Sequence, residues 1–350
     1  MIEPRAPRPT LDHLARLCDA NGIFEHAQFD RPRREGGYCT DDAGRLLALA
    51  AQRGHDAHSR RLSLVAIGFL ERAHLAGGQF RLRQRGDGEW TEDAPSDDAT
   101  GRALLGLGTA AACAPGSDVR ARAAALFVRA AAFRSAHPRA TAYAALGAVE
   151  LLRVDPTHGP ARRLLSDASD QLPRASSVDA WRWPEARLSY ANALLPDALL
   201  ALATVKGSQR GVDEALELLS WLIDEEMTEG HFSFTPVGGR APGETRPMFD
   251  QQPIEAWAMV SACTRAYAYT KDLRWARAAR VAGSWFLGNN DVGVPVYDPL
   301  TGGGFDGLER GGVNRNEGAE SSLAFVASMD QLTRLPEGPA QELVDAGSSV

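Results

Sequence analysis

Apolar residues along this chain fall into two kinds of segment that alternate. In the first kind a polar or acidic start gives way to residues that are small and apolar on nearly every face. TDDAGRLLALAA (40–51), SDDATGRALLGLGTAAA (96–112), HPRATAYAALGAVELL (137–152), LSYANALLPDALLALA (188–203), FDQQPIEAWAMVSACTRAYAYT (249–270) and NEGAESSLAFVASM (316–329) share this layout. A helix that is apolar all round is buried all round. The second kind is amphipathic, with charges on one side: 59–75, 118–134, 159–172, 212–227 and 273–287, with 10–20 as a sixth. These positions recur at helical spacing, and alternating β-branched runs are missing, so the pattern predicts an all-α protein.

Buried and amphipathic helices therefore pair off, with a repeat of roughly 45–65 residues. An open solenoid of helix pairs has a shorter, regular repeat and uniform turns. Here the connections at 77–98, 173–190, 228–252 and 288–317 are long and rich in Gly, Trp and acids. Six pairs suit a closed (α/α)6 toroid, with 40–51, 96–112, 138–152, 189–203, 253–270 and 318–329 as its inner ring. Residues 1–335 are expected to form this one barrel domain, with short hairpins at 77–90 and 230–239 on its rim. The Pro/Gly/Ser-rich 336–350 is expected to be a loosely ordered tail.

Composition narrows the function. The formal net charge is −7 and the isoelectric point about 5.7, which argues against nucleic acid or an anionic membrane as partner. No apolar run approaches the length of a membrane span, and the N-terminal residues carry no apolar secretory core. Cys18, Cys39, Cys113 and Cys263 are far apart and read as reduced thiols, so a cytoplasmic location is expected. His55 and His58 form an HxxH without a third ligand, TGGGFDGL (301–308) lies outside any strand–turn–helix phosphate loop, and no GxSxG elbow is present. Neither a metal nor a cofactor is expected.

If the inner helices run the same way round the barrel, their polar N-termini converge on one mouth. Helix N-termini carry partial positive charge and free N–H groups, so acids are tolerated there and hydroxyls can be bound. The converging residues are Asp41, Asp42, Asp98, Glu185, Asp250, Glu255 and Glu320, with Arg45, the amides Asn192, Gln251, Gln252 and Asn316, His231, and the aromatics Trp90, Trp183, Tyr190 and Trp257. Carboxylates beside flat aromatic faces suit glycoside chemistry, in which one acid protonates the leaving oxygen and another activates water or attacks carbon. A single acid at a helix start is an N-cap in the simpler reading, and Arg45 would then only neutralise its neighbours. Glu255 precedes Ala256-Trp257 in an apolar wall and is the expected proton donor. Asp42 and Asp98 each stand beside another acid, with an arginine three or four residues on, so either is the expected ionised base, with Glu320 orienting.

YCTDDAGRLLALA, EWTEDAPSDDATGRALLGLG, HPRATAYAALG, WRWPEARLSYANALLPDAL, GHFSFTPVGG, FDQQPIEAWAMVSAC and VNRNEGAESSLAFV resemble a bacterial family of (α/α)6-barrel proteins. These are often encoded beside, or fused to, glycosyltransferases, and look like members of the six-hairpin glycosidase superfamily. The resemblance spans about residues 36–330. It implies the toroidal fold, a carbohydrate substrate and a possible glycosyltransferase partner, with Asp41, Asp42, Asp98, Asp250, Glu255 and Glu320 as motif acids. The chain departs at Ala191, where an acid is expected, and reads Trp-Pro-Glu at 183–185 in place of Trp-Phe-Glu. The leading function is an inverting glycoside hydrolase, or a phosphorylase-like relative, acting on an oligosaccharide or glycoconjugate. The alternatives are a non-catalytic glycan-binding or scaffold partner of a glycosyltransferase, favoured by Ala191, and a sugar epimerase or isomerase. The last would use histidines as acid and base, and His231 is the one strong candidate.

Overall fold

The computed structural model describes residues 9–54, 56–91, 94–175 and 180–336. The expected C-terminal tail and His55 therefore lie outside the described residues. The inner helices are α2 (Thr40–Gln52), α4 (Asp97–Cys113), α6 (Pro138–Val154), α8 (Leu194–Lys206), α10 (Pro253–Thr270) and α12 (Ala319–Leu332). Each packs on the next, and α12 packs back on α2, so the ring closes. Outside it stand α3 (Ser59–Ala73), α5 (Ser117–Ala130), α7 (Gly159–Gln171), α9 (Gln209–Glu226) and α11 (Leu273–Ser284), each against the inner helix before it.

Two elements differ from expectation. The segment 10–20 yields only the short α1 (Asp12–Arg16), which packs on α12 as the outer member of the sixth pair. The fourth inner helix begins at Leu194 rather than 189, because residues 189–193 are bent and Ala191 has a φ of 45°. That bend becomes part of the site.

The outer helices bury one stripe each: in α9, Val212, Ala215, Leu218, Leu219 and Leu222 face the ring at helical spacing. In α6, by contrast, every residue from Arg139 to Val149 is buried. Among the described residues all sheets are two-stranded and antiparallel. One such pair joins Met227–Thr228 to His231–Phe232, so the rim hairpin lies earlier than the expected 230–239, of which only His231–Phe232 is strand. At the other, residues 83–91 turn back on themselves through Arg85 N–H to Glu89 O at 2.8 Å, while Tyr38–Cys39 and Pro95–Ser96 supply the strands beside it.

Three of the inner helices approach so closely that only glycine fits between them. A Cβ on Gly108 would stand 2.0 Å from Gly147 O, one on Gly147 2.2 Å from Leu104 O, and one on Gly106 2.4 Å from Gly44 O. Backbone on a neighbouring helix cannot swing aside as a side chain can. Gly147→Ala is therefore expected to lower unfolding free energy by about 1–3 kcal/mol, in spite of alanine's better helix propensity. Gly68→Ala in α3, where the nearest atom is 3.7 Å away, is expected to be neutral or mildly stabilising. Denaturant titration of both variants checks this, and equal effects would reject the backbone-contact account.

Candidate active site at the helix N-termini

Arginine is rarely buried unless paired, yet Arg45, Arg102 and Arg139 are almost wholly buried in helices that are otherwise apolar. Arg45 and Arg102 are held by carboxylates from the helix starts, and Arg139 by Glu185 from the loop before α8. Arg45 of α2 donates Nη1 to Asp42 Oδ1 at 2.7 Å and Nη2 to Glu320 Oε2 of α12 at 2.5 Å. Arg102 of α4 places Nη1 3.2 Å from both Asp41 Oδ2 of α2 and Asp98 Oδ2 of its own helix. Its guanidinium lies over the rings of Tyr143 and Tyr190, at 4.7 and 5.9 Å. Arg139 of α6 donates to both Glu185 oxygens at 2.6 and 2.5 Å, to Tyr190 O at 2.7 Å and to Asn192 Oδ1 at 3.2 Å. The Tyr190 hydroxyl donates to Asp98 Oδ2, and Trp183 Nε1–H to Glu185 Oε2 at 3.2 Å. Finally, Glu255 of α10 accepts the N–H groups of Ala191 at 2.5 Å and Asn192 at 3.1 Å.

One polar network thus joins the starts of all six inner helices, which fixes their N-termini at a common end. The N-cap account fails for its acids. The inner helices α2, α10 and α12 have no side-chain cap, and their first-turn carboxylates reach arginines or another helix's backbone instead. Of the inner helices α4 alone has a side-chain cap, and it is Ser96 rather than an acid.

Burial divides the carboxyls. Asp42 is 2% exposed and Glu255 4%, whereas the side chains of Asp98 and Glu320 are 33% and 38% exposed. Desolvation pushes Asp42 up to about 7, against the pull of Arg45 and with help from Glu320, Glu25 and Asp41. At Asp42 burial outweighs the arginine, an upward push that the neighbouring Arg45 alone does not suggest. Glu255 rises to about 8 for the same first reason, with Glu226 adding to it, while the two backbone N–H bonds and Arg139 oppose. Burial, then Asp98, pushes the Tyr190 phenol up, so it remains a donor.

The network thus brings together Asp41, Asp42, Arg45, Asp98, Trp183, Glu185, Tyr190, Asn192, Glu255 and Glu320 of the expected set. Trp183 sits there as wall rather than as an open face, stacked 6.3 Å from Trp221 of α9. Gln251 and His231 form a neighbouring cluster: Gln251 Nε2–H donates to Asp291 Oδ2, and His231 Nε2 lies 3.2 Å from Asp291 Oδ1. Trp90 packs apart, 5.6 Å from Phe69 of α3. Asn316 accepts the Phe29 N–H at 3.0 Å in a surface groove. Asp250 is exposed, its carbonyl taking the Val237 N–H at 2.9 Å, while Gln252 and Trp257 are half-buried at the start of α10.

Sequence reading passed over Arg139 and Asp306. The first was visible as a lone arginine in a helix apolar on all faces. Asp306 sits in a loop without such a signal, accepting the Gly318 N–H at 2.9 Å and the Ser321 hydroxyl at 2.8 Å at the start of α12. Among the described residues no cluster suited to a metal ion occurs, and no helix is long and apolar enough to cross a membrane.

No protein-family model and no curated protein matches the chain by sequence. Solved structures do match its fold. A sugar epimerase from a ruminal bacterium superposes with a TM-score of 0.71 at 11% identity, over 95% of this chain and 98% of that one. The cellobiose 2-epimerase of Bacillus thermoamylovorans gives 0.68 at 13%, over 91% and 96%. An α-mannanase of Bacteroides thetaiotaomicron gives 0.61 at 12%, over 92% of each. The fold is the six-hairpin glycosidase-like (α/α)6 toroid.

The raised carboxyls make stability pH-dependent. A carboxyl whose folded pKa lies above its unfolded value holds more protons when folded, so its contribution falls as pH rises between the two. For Asp42 that window runs from 3.8 to about 7. Urea midpoints of the wild type are expected to fall across it, and Asp42→Asn is expected to flatten the slope. Parallel slopes would show that Asp42 titrates as an ordinary surface acid.

Proposed function

We propose that this chain is a carbohydrate-active enzyme that hydrolyses a glycosidic bond at the mouth of the barrel. The reading rests on one observation: a single hydrogen-bonded network contains a deeply buried carboxyl raised to about 8, Glu255, and a partly exposed, arginine-paired carboxylate, Asp98. Inverting hydrolysis needs such a division, with one carboxyl kept protonated and one kept ionised near water. In the proposed step Glu255 gives its proton to the leaving glycosidic oxygen. Asp98 takes a proton from a water whose oxygen bonds to the anomeric carbon as the bond to the leaving oxygen breaks. Glu320 and Asp42, sharing Arg45, orient the sugar.

A second reading, sugar epimerisation or isomerisation, draws on the His231–Asp291 pair beside Gln251 and on the epimerases and mannose isomerase among the similar structures. A glycosyltransferase partner rests on the sequence resemblance alone. That the first-turn acids reach across helices rather than capping their own favours a working site over a passive scaffold.

The test is a screen of the purified protein against oligosaccharides and aryl glycosides, with and without phosphate. New reducing ends are expected. Epimer or ketose formation without bond cleavage would instead select the second reading. On an unactivated substrate Glu255→Gln is expected to lower turnover at least about 10²-fold while leaving sugar binding in place. Unchanged turnover would remove Glu255 as the acid.

A further inference from the structure

Residues 189–192 are shaped by a side chain that comes from another helix. Ala191 is fully buried in the left-handed region, with a φ of 45°, a conformation an L side chain adopts at some cost. In consequence the N–H groups of Ala191 and Asn192 point the same way, and both meet Glu255. Successive N–H groups turned to one side make a small anion-binding concavity. What holds the bend is the Arg139 fork: Nε–H on Tyr190 O, one Nη–H on Asn192 Oδ1 and the other on Glu185, with the guanidinium 5.3 Å from the Tyr190 ring centre. Asn192 Oδ1 also receives the Ser189 N–H at 2.9 Å, which closes the loop on itself.

We propose that Arg139 is a positioning residue that holds the Ala191–Asn192 amide pair against the Glu255 carboxyl. Arg139 is itself fully engaged with protein groups and does not touch the sugar. Its guanidinium is planar and rigid and makes these bonds at once; lysine carries the charge without the fork.

The charged surroundings of Glu255 set the sign of the effect. Arg139 faces it from α6 and Glu226 from the end of α9, with Arg240 and Arg246 beside Glu226 and Glu185 beyond Arg139. The amide pair and Arg139 both favour the carboxylate; burial and Glu226 oppose it. Arg139→Gln removes the charge and loosens the amide pair, so Glu255 must hold its proton to higher pH. Arg139→Lys keeps the charge and loses only the fork.

The assignment of Glu255 as the acid belongs to the proposed hydrolysis, so the test has one arm that does not depend on turnover. Infrared difference spectra of the protonated carboxyl stretch, wild type minus Glu255→Gln, follow Glu255 directly through a pH titration. In Arg139→Gln this titration is expected to move up by about one pH unit, in Arg139→Lys by less, and in Tyr190→Phe not at all. On a hydrolysed substrate, the alkaline limb of kcat is expected to move with the infrared titration, and kcat itself to fall about 10²-fold with a smaller change in KM. An unmoved Glu255 titration in a folded Arg139→Gln protein overturns the proposal whatever the activity. A moved titration in a protein that hydrolyses nothing upholds it and removes the hydrolase reading instead. Should Arg139→Gln fail to fold, Arg139→Lys carries the same decision.

Discussion

Burying a guanidinium without a partner costs several kcal/mol, and this barrel buries three at one end. Arg45 and Arg102 can occupy those places because carboxylates from neighbouring helix starts reach them, and Arg139 because the loop before α8 brings Glu185 to it; those helix starts lie together because the ring closes. The arrangement constrains in both directions. Removing Arg45 or Arg102 leaves two carboxyls without their guanidinium and removing Arg139 leaves Glu185 without one, and misplacing one helix removes an arginine's partner. Most other features of the site follow, including the upward push on Asp42 and Glu255, which lie deep enough for desolvation to outweigh their positive neighbours. The carboxylates closer to water are Asp98 and Glu320.

The toroid was legible because its signal is spread over the whole chain. Helices such as α6, apolar on every face, have no place in a simple two-layer bundle, and their alternation with one-sided helices such as α9 specifies an inner and an outer ring. The polar starts of 40–51, 96–112 and 253–270 likewise announced a shared mouth. What escaped was anything decided by the relation of two distant segments. No local pattern states that Arg139 will meet Glu185, Tyr190 and Asn192, or that Asp306 will receive Gly318. The bend at 189–193 was hidden because alanine gives no warning of a left-handed conformation. It shortened α8 and supplied the amide pair for Glu255. The upward push on Asp42 was not legible, because an arginine three residues on is visible in sequence while the depth at which both lie is not. Trp183 shows the same limit: an aromatic in a site-like loop became part of the wall.

The glycines divide the inner ring into unlike halves. Gly44, Gly101, Gly106, Gly108 and Gly147 all lie in α2, α4 and α6, whereas α8, α10 and α12 contain none. In the first arc backbone rests on backbone, and rigid surfaces cannot slide without colliding. In the second arc the helices are kept apart by side chains, joined in places by polar links such as Gln331 Nε2–H to Ser261 Oγ at 3.1 Å, and side chains can change rotamer. The barrel therefore has a stiff jaw and a compliant one. Arg102 belongs to the stiff jaw and Glu255 to the compliant one, and Arg139 reaches across the seam between α6 and α8.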